Sequence, residues 1–204
     1  MAQNVQGKVP SGQLASGANP ILIGAKDPSG NNAVFEIDSN KGVKVSTVGS
    51  LTKATDTITI GTGAAHSAGD VVSTDLGEIL EFETGLAAGS SGIILGTLVT
   101  LGQNAVFSGG AGYTLYLFDA TPTVQATNAA FDLADADLAK YIGKIPISTL
   151  QDLGSNCAIT DVNQNFPFKL ATGGTKLYGK LVCVGGETTI TGKVITIKLN
   201  IAVL

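Results

Sequence analysis

The chain of 204 residues has 12 lysines, no arginine and 16 acidic residues, which gives a formal net charge of −4. Arginine supplies most bidentate contacts to phosphates and bases, so this composition argues against a nucleic-acid partner. With 44% hydrophobic and 14% charged residues, the chain is expected to fold around a core. Its mean hydropathy of +0.31 is high for a soluble monomer and predicts apolar surface covered in a homo-oligomer.

The first 50 residues differ from the rest in being rich in glycine, serine, asparagine and glutamine. They contain three short apolar islands, Pro20–Gly24, Ala33–Asp38 and Gly42–Val45. The turn sequences Asp27–Asn31 and Asp38–Gly42 separate these islands. We therefore expect residues 1–50 to form an extended arm with a small β-meander, which is too small to build a self-sufficient core.

Residues 51–204 are expected to form the body, and their pattern is mostly that of β-strands. In the last predicted strand, alternate residues from Ile195 to Val203 are apolar and should be buried, whereas Lys198 should be exposed. Two other strands are apolar on both faces, as in the centre of a sheet. The predicted strands are Asp56–Ile60, Gly92–Leu101, Tyr113–Phe118, Lys176–Val184 and Lys193–Val203.

One short helix is predicted, over Asn128–Gly143. Its apolar residues follow helical spacing, Asn128 can cap the start and Gly143 can end the helix. Many strands, frequent glycine turns and little helix together predict an all-β fold. We expect an antiparallel, jelly-roll-like β-sandwich with this one helix and the N-terminal β-meander arm.

The single histidine, His66, lies next to Ser67 and close to Asp70. Neighbouring residues of a strand point to opposite faces, so Ser67 is poorly placed to use His66 as a base. The chain also lacks the Gly-x-Ser-x-Gly elbow of α/β-hydrolases. We therefore interpret His66 as a structural residue at a strand edge.

The acidic residues suggest no catalytic or metal site either. Asp132, Asp135 and Asp137 lie on the predicted helix, where Asp137 can pair with Lys140 three residues later. The carboxylates of Glu78, Glu81 and Glu83 could act as a glycosidase pair only in a cleft, which the sequence does not indicate. Glycine-rich runs such as Gly109–Gly112 are interpreted as turns, because they lack the lysine of a phosphate loop. We predict no enzyme activity, no cofactor and no metal.

Neither cysteine suggests a disulfide framework. Cys183 lies inside a strand pattern and should be a small buried hydrophobe, and Cys157 should lie at a loop edge. Both are expected to remain thiols in a reducing compartment. The first residues lack a signal-peptide pattern, and the longest apolar stretch, Gly92–Leu101, is too short for a membrane helix. We expect synthesis in a cytoplasm and no membrane partner.

Six segments share a characteristic set of strand and turn patterns: Gly17–Asn31, Ala33–Asp38, His66–Val72, Tyr116–Thr123, Asn128–Leu133 and Lys176–Val182. In these patterns the chain resembles the decoration, or cement, proteins of tailed-bacteriophage capsids. The resemblance lies in strand and turn patterns rather than in chemical signatures. It implies a jelly-roll-like body, symmetric oligomers on the outer capsid surface and no catalysis.

On this basis we expect a structural virion protein, made in the host cytoplasm, that binds the major capsid protein and bridges its subunits. It should be a homo-oligomer, with a dimer favoured over a trimer. The alternatives are a receptor- or carbohydrate-binding β-sandwich of a phage tail, neck or fibre, and a small β-sandwich enzyme. Apolar residues of the arm are the candidate partner contacts, because the arm cannot bury them alone: Ile21, Leu22, Ile23, Val34 and Phe35.

Overall fold

In the computed structural model, backbone is described for residues 25–26, 32–37, 43–46, 51–61, 65–102, 112–152, 157–186 and 192–203. Side chains are described for 51–61, 65–102, 112–151, 160–186 and 192–203. The chain divides into two compact units, Met1–Val48 and Gly49–Leu204.

The first unit contains a three-stranded antiparallel sheet, the predicted meander. Its strands are β1 (Ala25–Lys26), β2 (Asn32–Ile37) and β3 (Val43–Ser46), in the order β1-β2-β3. Strands β2 and β3 coincide with two predicted apolar islands. The third island, Pro20–Gly24, lies outside the described residues.

The body forms two antiparallel sheets that pack against each other. The first sheet has the order β10-β11-β7-β13-β4, and the second has the order β5-β12-β8-β9, with β6 also paired to β12. All five strands predicted for the body are confirmed; their ends agree to within one residue, except that β4 begins at Leu51, five residues before the predicted start at Asp56. The body strands are β4 (Leu51–Thr59), β5 (Val71–Val72), β6 (Leu80–Glu83), β7 (Ser91–Gly102), β8 (Tyr113–Phe118), β9 (Tyr141–Ile147), β10 (Gln151–Asp152), β11 (Cys157–Lys169), β12 (Lys176–Cys183) and β13 (Val194–Val203).

The strand pairings are nested, and this gives the body its jelly-roll order. Strand β8 pairs with β9, β7 pairs with β11, β5 and β6 pair with β12, and β4 pairs with β13. The body is thus one long antiparallel ribbon, wrapped so that successive pairs fall in alternate sheets. Wrapping also brings β13 beside β7 and β12 beside β8. Eight principal strands in two such sheets are the arrangement of a jelly roll.

The core lies between the inner faces of the two sheets. Alternate residues of β13 are almost fully buried, from Ile195 at 1% exposed to Leu199 at 0%, as the sequence predicted. Val203 packs against this core while partly exposed, and Lys198 is half-buried rather than exposed. Cys183 is buried as predicted, and its thiol donates a hydrogen bond to the carbonyl of Gly185 at 2.6 Å. Each fully buried aliphatic side chain contributes about 1.5–3 kcal/mol.

An irregularity in β7 changes which of its residues face the core. Leu95 has no partner in the register with β13, where Ile94 and Gly96 pair with consecutive residues. The extra residue shifts the alternation by one position, so Ile94 points into the core before the bulge and Thr97 after it. Leu95 remains 37% exposed.

The outer face of the second sheet is covered by residues 119–140, which connect β8 to β9 and are called the covering connection below. The ring of Phe131 lies over Tyr116 of β8, with centroids 4.1 Å apart. On the same face, Phe118 and Val182 are 0% and 4% exposed. This sheet is therefore apolar on both faces, as the sequence of β8 predicted.

The helix predicted over Asn128–Gly143 is wrong in extent. Only a single 3₁₀ turn, Asp135–Asp137, is helical, and β9 starts at Tyr141. Asn128 adopts a positive φ of 62°, and the N–H of Phe131 donates to the carbonyl of Gly69. Backbone groups that an α-helix would satisfy internally bond instead to the chain around β5, so packing on the sheet replaces the helix.

Candidate functional site

The predicted partner contacts of the arm cannot be placed. Ile21, Leu22 and Ile23 lie outside the described residues. Val34 and Phe35 belong to β2, whose side chains also lie outside the described part.

His66 has structural contacts. It is 3% exposed, and its Nε2 lies 2.9 Å from the hydroxyl oxygen of Thr127 in the covering connection. The carboxylate of Asp70 accepts a hydrogen bond from the backbone N–H of Ser67 at 2.6 Å and so closes the loop between them. The contact between His66 and Thr127 therefore links the loop before β5 to the covering connection, and the bond between Ser67 and Asp70 closes that loop.

The acidic residues of the predicted helix separate into one buried and two exposed side chains. Asp137 is 0% exposed and forms an ion pair with Lys140 at 2.9 Å, as the sequence predicted. Its other oxygen accepts the backbone N–H of Thr123 at 2.7 Å. Burial alone would raise the pKa of Asp137, but the hydrogen bonds from Lys140 and Thr123 outweigh it and lower the pKa. Asp132 and Asp135 are exposed.

Lys180 of β12 is a lysine buried beneath the covering connection. It is 5% exposed, donates to the amide oxygen of Gln125 at 2.8 Å and lies 5.8 Å from the ring centre of Phe131. Burial lowers the pKa of Lys180, although Asp137 and Asp132 partly oppose this shift. Lys180 thus lies between the sheet and the covering connection and contacts two residues of the connection.

Two of the glutamates considered from the sequence share one lysine. On the outer face of β6 and β12, Lys176 forms ion pairs with Glu81 at 2.8 Å and Glu83 at 2.9 Å. Hydrogen bonds to the two carboxylates raise the pKa of Lys176. Glu78 lies before β6 and takes no part in this network among the described contacts.

A cleft of about 600 Å³ lies beside this network. Its lining residues include three acids, Asp56, Glu78 and Glu81. Its rim carries two strongly exposed apolar side chains, Leu76 at 90% and Val124 at 57%. Two of these acids are already engaged, since Glu81 pairs with Lys176 and Asp56 accepts backbone N–H groups. The lining is therefore mixed in chemistry, with acids beside exposed apolar side chains.

The turn that presents Leu76 is rigidly built. The N–H of Gly77 donates to the carbonyl of Thr74 at 2.9 Å, and the N–H of Glu78 donates to the Thr74 hydroxyl at 3.0 Å. Gly77 has a φ of 76°, which glycine adopts without strain. Sequence reasoning missed Leu76, although a lone leucine between Asp75 and Gly77 in a turn was a visible signal.

Among the described side chains, no group of three or more histidine, cysteine, aspartate or glutamate residues could hold a metal ion. In the same part of the chain, no helix is long and apolar enough to cross a membrane. The chain matches no protein-family profile and no curated protein.

Proposed function

We propose that this chain is a structural virion protein that binds the outside of a phage capsid as a homo-oligomer and bridges neighbouring capsid subunits. The biological setting comes from the resemblance of its strand and turn patterns to capsid decoration proteins. In this proposal the protein is not an enzyme and acts by adding contacts between subunits.

The main support for this proposal is that several charged side chains of the body are buried or paired, whereas several large apolar side chains are exposed. Asp137 and Lys180 are buried, and Lys176 is paired to two glutamates, so these charges are engaged within the body and are not offered to a partner. Several large apolar side chains are instead exposed, as expected of a surface that adheres to partners. They are Leu51, Leu76, Leu95, Val124, Leu138 and Val184.

Binding to a capsid would gain from many modest contacts. A standard interface buries about 1,600 Å² in total, and one oligomer that touches several capsid subunits gains avidity without any exceptional contact. The chain has no arginine, so it cannot itself supply the guanidinium of a bidentate ion pair. We therefore expect binding to be mainly apolar and to tolerate moderate salt.

The alternative is a receptor- or carbohydrate-binding domain of a tail, neck or fibre. The cleft beside Leu76, with the acids Asp56, Glu78 and Glu81 among its lining residues, is the feature that favours it. Sugar sites combine such carboxylates with aromatic platforms, and the described walls of this cleft contain no aromatic residue. This observation gives the alternative less support than the structural role.

The proposal is tested with capsids prepared with and without the protein, which are then heated or subjected to osmotic shock. We expect bare capsids to rupture first. Full-length variants Leu22→Asp and Phe35→Asp should bind and protect poorly if the arm anchors the protein. Ala87→Asp, at an exposed position of the body outside that apolar set, serves as the matched control. Equal rupture of bare and decorated capsids, together with binding to a glycan array that Glu78→Gln abolishes, would favour the alternative.

A further inference from the structure

The outer face of the first sheet differs from that of the second, because no described segment covers it. Central side chains of this face are half-buried or exposed, among them Ile93, Leu98 and Lys198. The face is made of four long strands, β4, β13, β7 and β11. At the usual strand spacing and rise it measures roughly 19 by 30 Å, or about 600 Å² of flat area.

The register places charged residues of opposite sign on either side of the central strand. Leu98 of β7 pairs with Lys198 of β13 on one side and with Asp161 of β11 on the other. Within one copy these two charges are therefore two strand spacings apart, about 10 Å, and no ion pair joins them among the described contacts.

The neighbouring row repeats this arrangement with amides. Gly96 of β7 pairs with Asn200 of β13 and with Asn163 of β11. A Cβ on Gly96 would lie 3.6 Å from Nδ2 of Asn200 and 3.7 Å from Oδ1 of Asn163, so both amides flank the glycine on the outer face. A donor–acceptor group thus lies on each side of the same strand.

We infer that this face is the dimer interface, and that it packs against the same face of a second copy about a two-fold axis parallel to β7. Such an axis exchanges the two sides of β7. It places Lys198 of each copy opposite Asp161 of the other, Asn200 opposite Asn163, and Leu98 against its own equivalent. A two-fold axis across the strands would instead oppose Lys198 to Lys198. The charges and amides are self-complementary only about the first axis, as an isologous interface requires.

The size and chemistry of the face fit a second copy. Its corrugated accessible area exceeds the flat estimate of about 600 Å², and so approaches the roughly 800 Å² that each partner buries in a standard interface. Sheets stacked face to face lie about 10 Å apart, a gap that a lysine and an aspartate can bridge together. The half-buried Leu98 and Ile93 supply the apolar centre.

This inference rests on the homo-oligomer of the proposed function, but its test needs no capsid. The full-length protein is examined by sedimentation velocity over a wide concentration range, where we expect a monomer–dimer equilibrium. Asp161→Lys and Lys198→Asp should each raise the dissociation constant of the dimer at least about tenfold. Each substitution places two charges of the same sign opposite each other, and the two-fold axis creates two such pairs in every dimer. The double variant, with the charges exchanged, should restore dimerisation.

Two matched controls separate this geometry from a general effect of charge. Glu78→Lys changes the net charge as Asp161→Lys does, but lies outside the face. Lys53→Asp changes the net charge as Lys198→Asp does and lies on β4 of the same face, away from any partner carboxylate. Both should dimerise nearly as wild type. A protein that stays monomeric, or single variants that the double variant fails to rescue, would overturn the inference. Capsid binding by such a monomer would leave the capsid role standing without this interface.

Discussion

The carboxylate of Asp56 on β4 accepts a hydrogen bond from the backbone N–H of Glu81 on β6, with Oδ2 and N 2.5 Å apart. Its other oxygen accepts the N–H of Thr57 at 2.8 Å. Strands β4 and β6 belong to different sheets, so one side chain joins their edges. It also occupies an N–H of an edge strand, which protects that strand from pairing with another chain.

We expect Asp56→Ala to lower the free energy of unfolding by about 1–3 kcal/mol, because two N–H groups lose a charged acceptor. Chemical denaturation monitored by fluorescence or circular dichroism measures this change. Asp135→Ala removes an exposed carboxylate and should change stability by less than about 0.5 kcal/mol. Equal effects of the two substitutions would show that the link between β4 and β6 does not stabilise the body.

Leu199→Ala should cost about 2–5 kcal/mol of unfolding free energy, because Leu199 is 0% exposed at the centre of the core. Leu138→Ala, at a side chain 56% exposed, is the matched control and should change little. The amides of β13 should also exchange slowly with deuterium, because this strand is bonded on both sides. Rapid exchange throughout Val194–Val203 would contradict the position of β13 between β4 and β7.

Lys180→Met should remove a pH dependence of stability in the alkaline range. The pKa of Lys180 is lowered in the folded protein from 10.5, so above the lowered value the unfolded chain binds more protons. The stability supplied by this residue therefore rises with pH and levels off above 10.5. At neutral pH the buried charge is unfavourable, and the methionine variant should be the more stable.

Thermal unfolding at a series of pH values gives this difference directly. The advantage of Lys180→Met over wild type should be largest near neutral pH and should shrink as the pH approaches 10.5. Lys144→Met is the matched control, since Lys144 also lies over a ring of the same sheet face, 6.0 Å from the Tyr116 centroid, but is exposed. A constant difference across the pH range would count against a buried, charged Lys180.

Brief proteolysis of the free protein should cleave residues 1–50 before the body. A sheet of three short strands is at the limit of independent stability, whereas the body has a continuous core between two sheets. Mass spectrometry of the resistant fragment should place its first residue near 51. If the full chain resisted cleavage uniformly, the arm would be an integral layer of the body.

The sequence predicted the strands whose environments are regular. Strand β13 has one buried and one polar face, so its alternation indicated both its type and its inner residues. Strand β9 was missed because Tyr141 and Ile142 also continue a helical spacing from Phe131, and only packing on β8 decides between the two. Strand β11 was missed because two residues of its inner face, Thr160 and Gln164, are polar. Hydropathy therefore does not alternate regularly along this strand.

The candidate surfaces were harder to predict than the strands. Asp56 looks like an ordinary polar residue of an alternating strand, and its role depends on β6, which comes 24 residues later. The charge pattern of Lys198 and Asp161 depends on register across β7, which no local signal specifies. Contacts between strands distant in sequence are where the sequence alone was least informative.

The place of β12 and β13 in the two sheets has a consequence for how the protein is made. Strand β13 separates β4 from β7, and β12 separates β5 and β6 from β8. Until the ribosome has released β12 and β13, neither sheet can assemble in its native order. More than a hundred residues are synthesised between β4 and its partner β13. A messenger truncated before β12 would yield a chain with two incomplete sheets rather than a smaller folded domain, and such a product would be a substrate for chaperones and proteases.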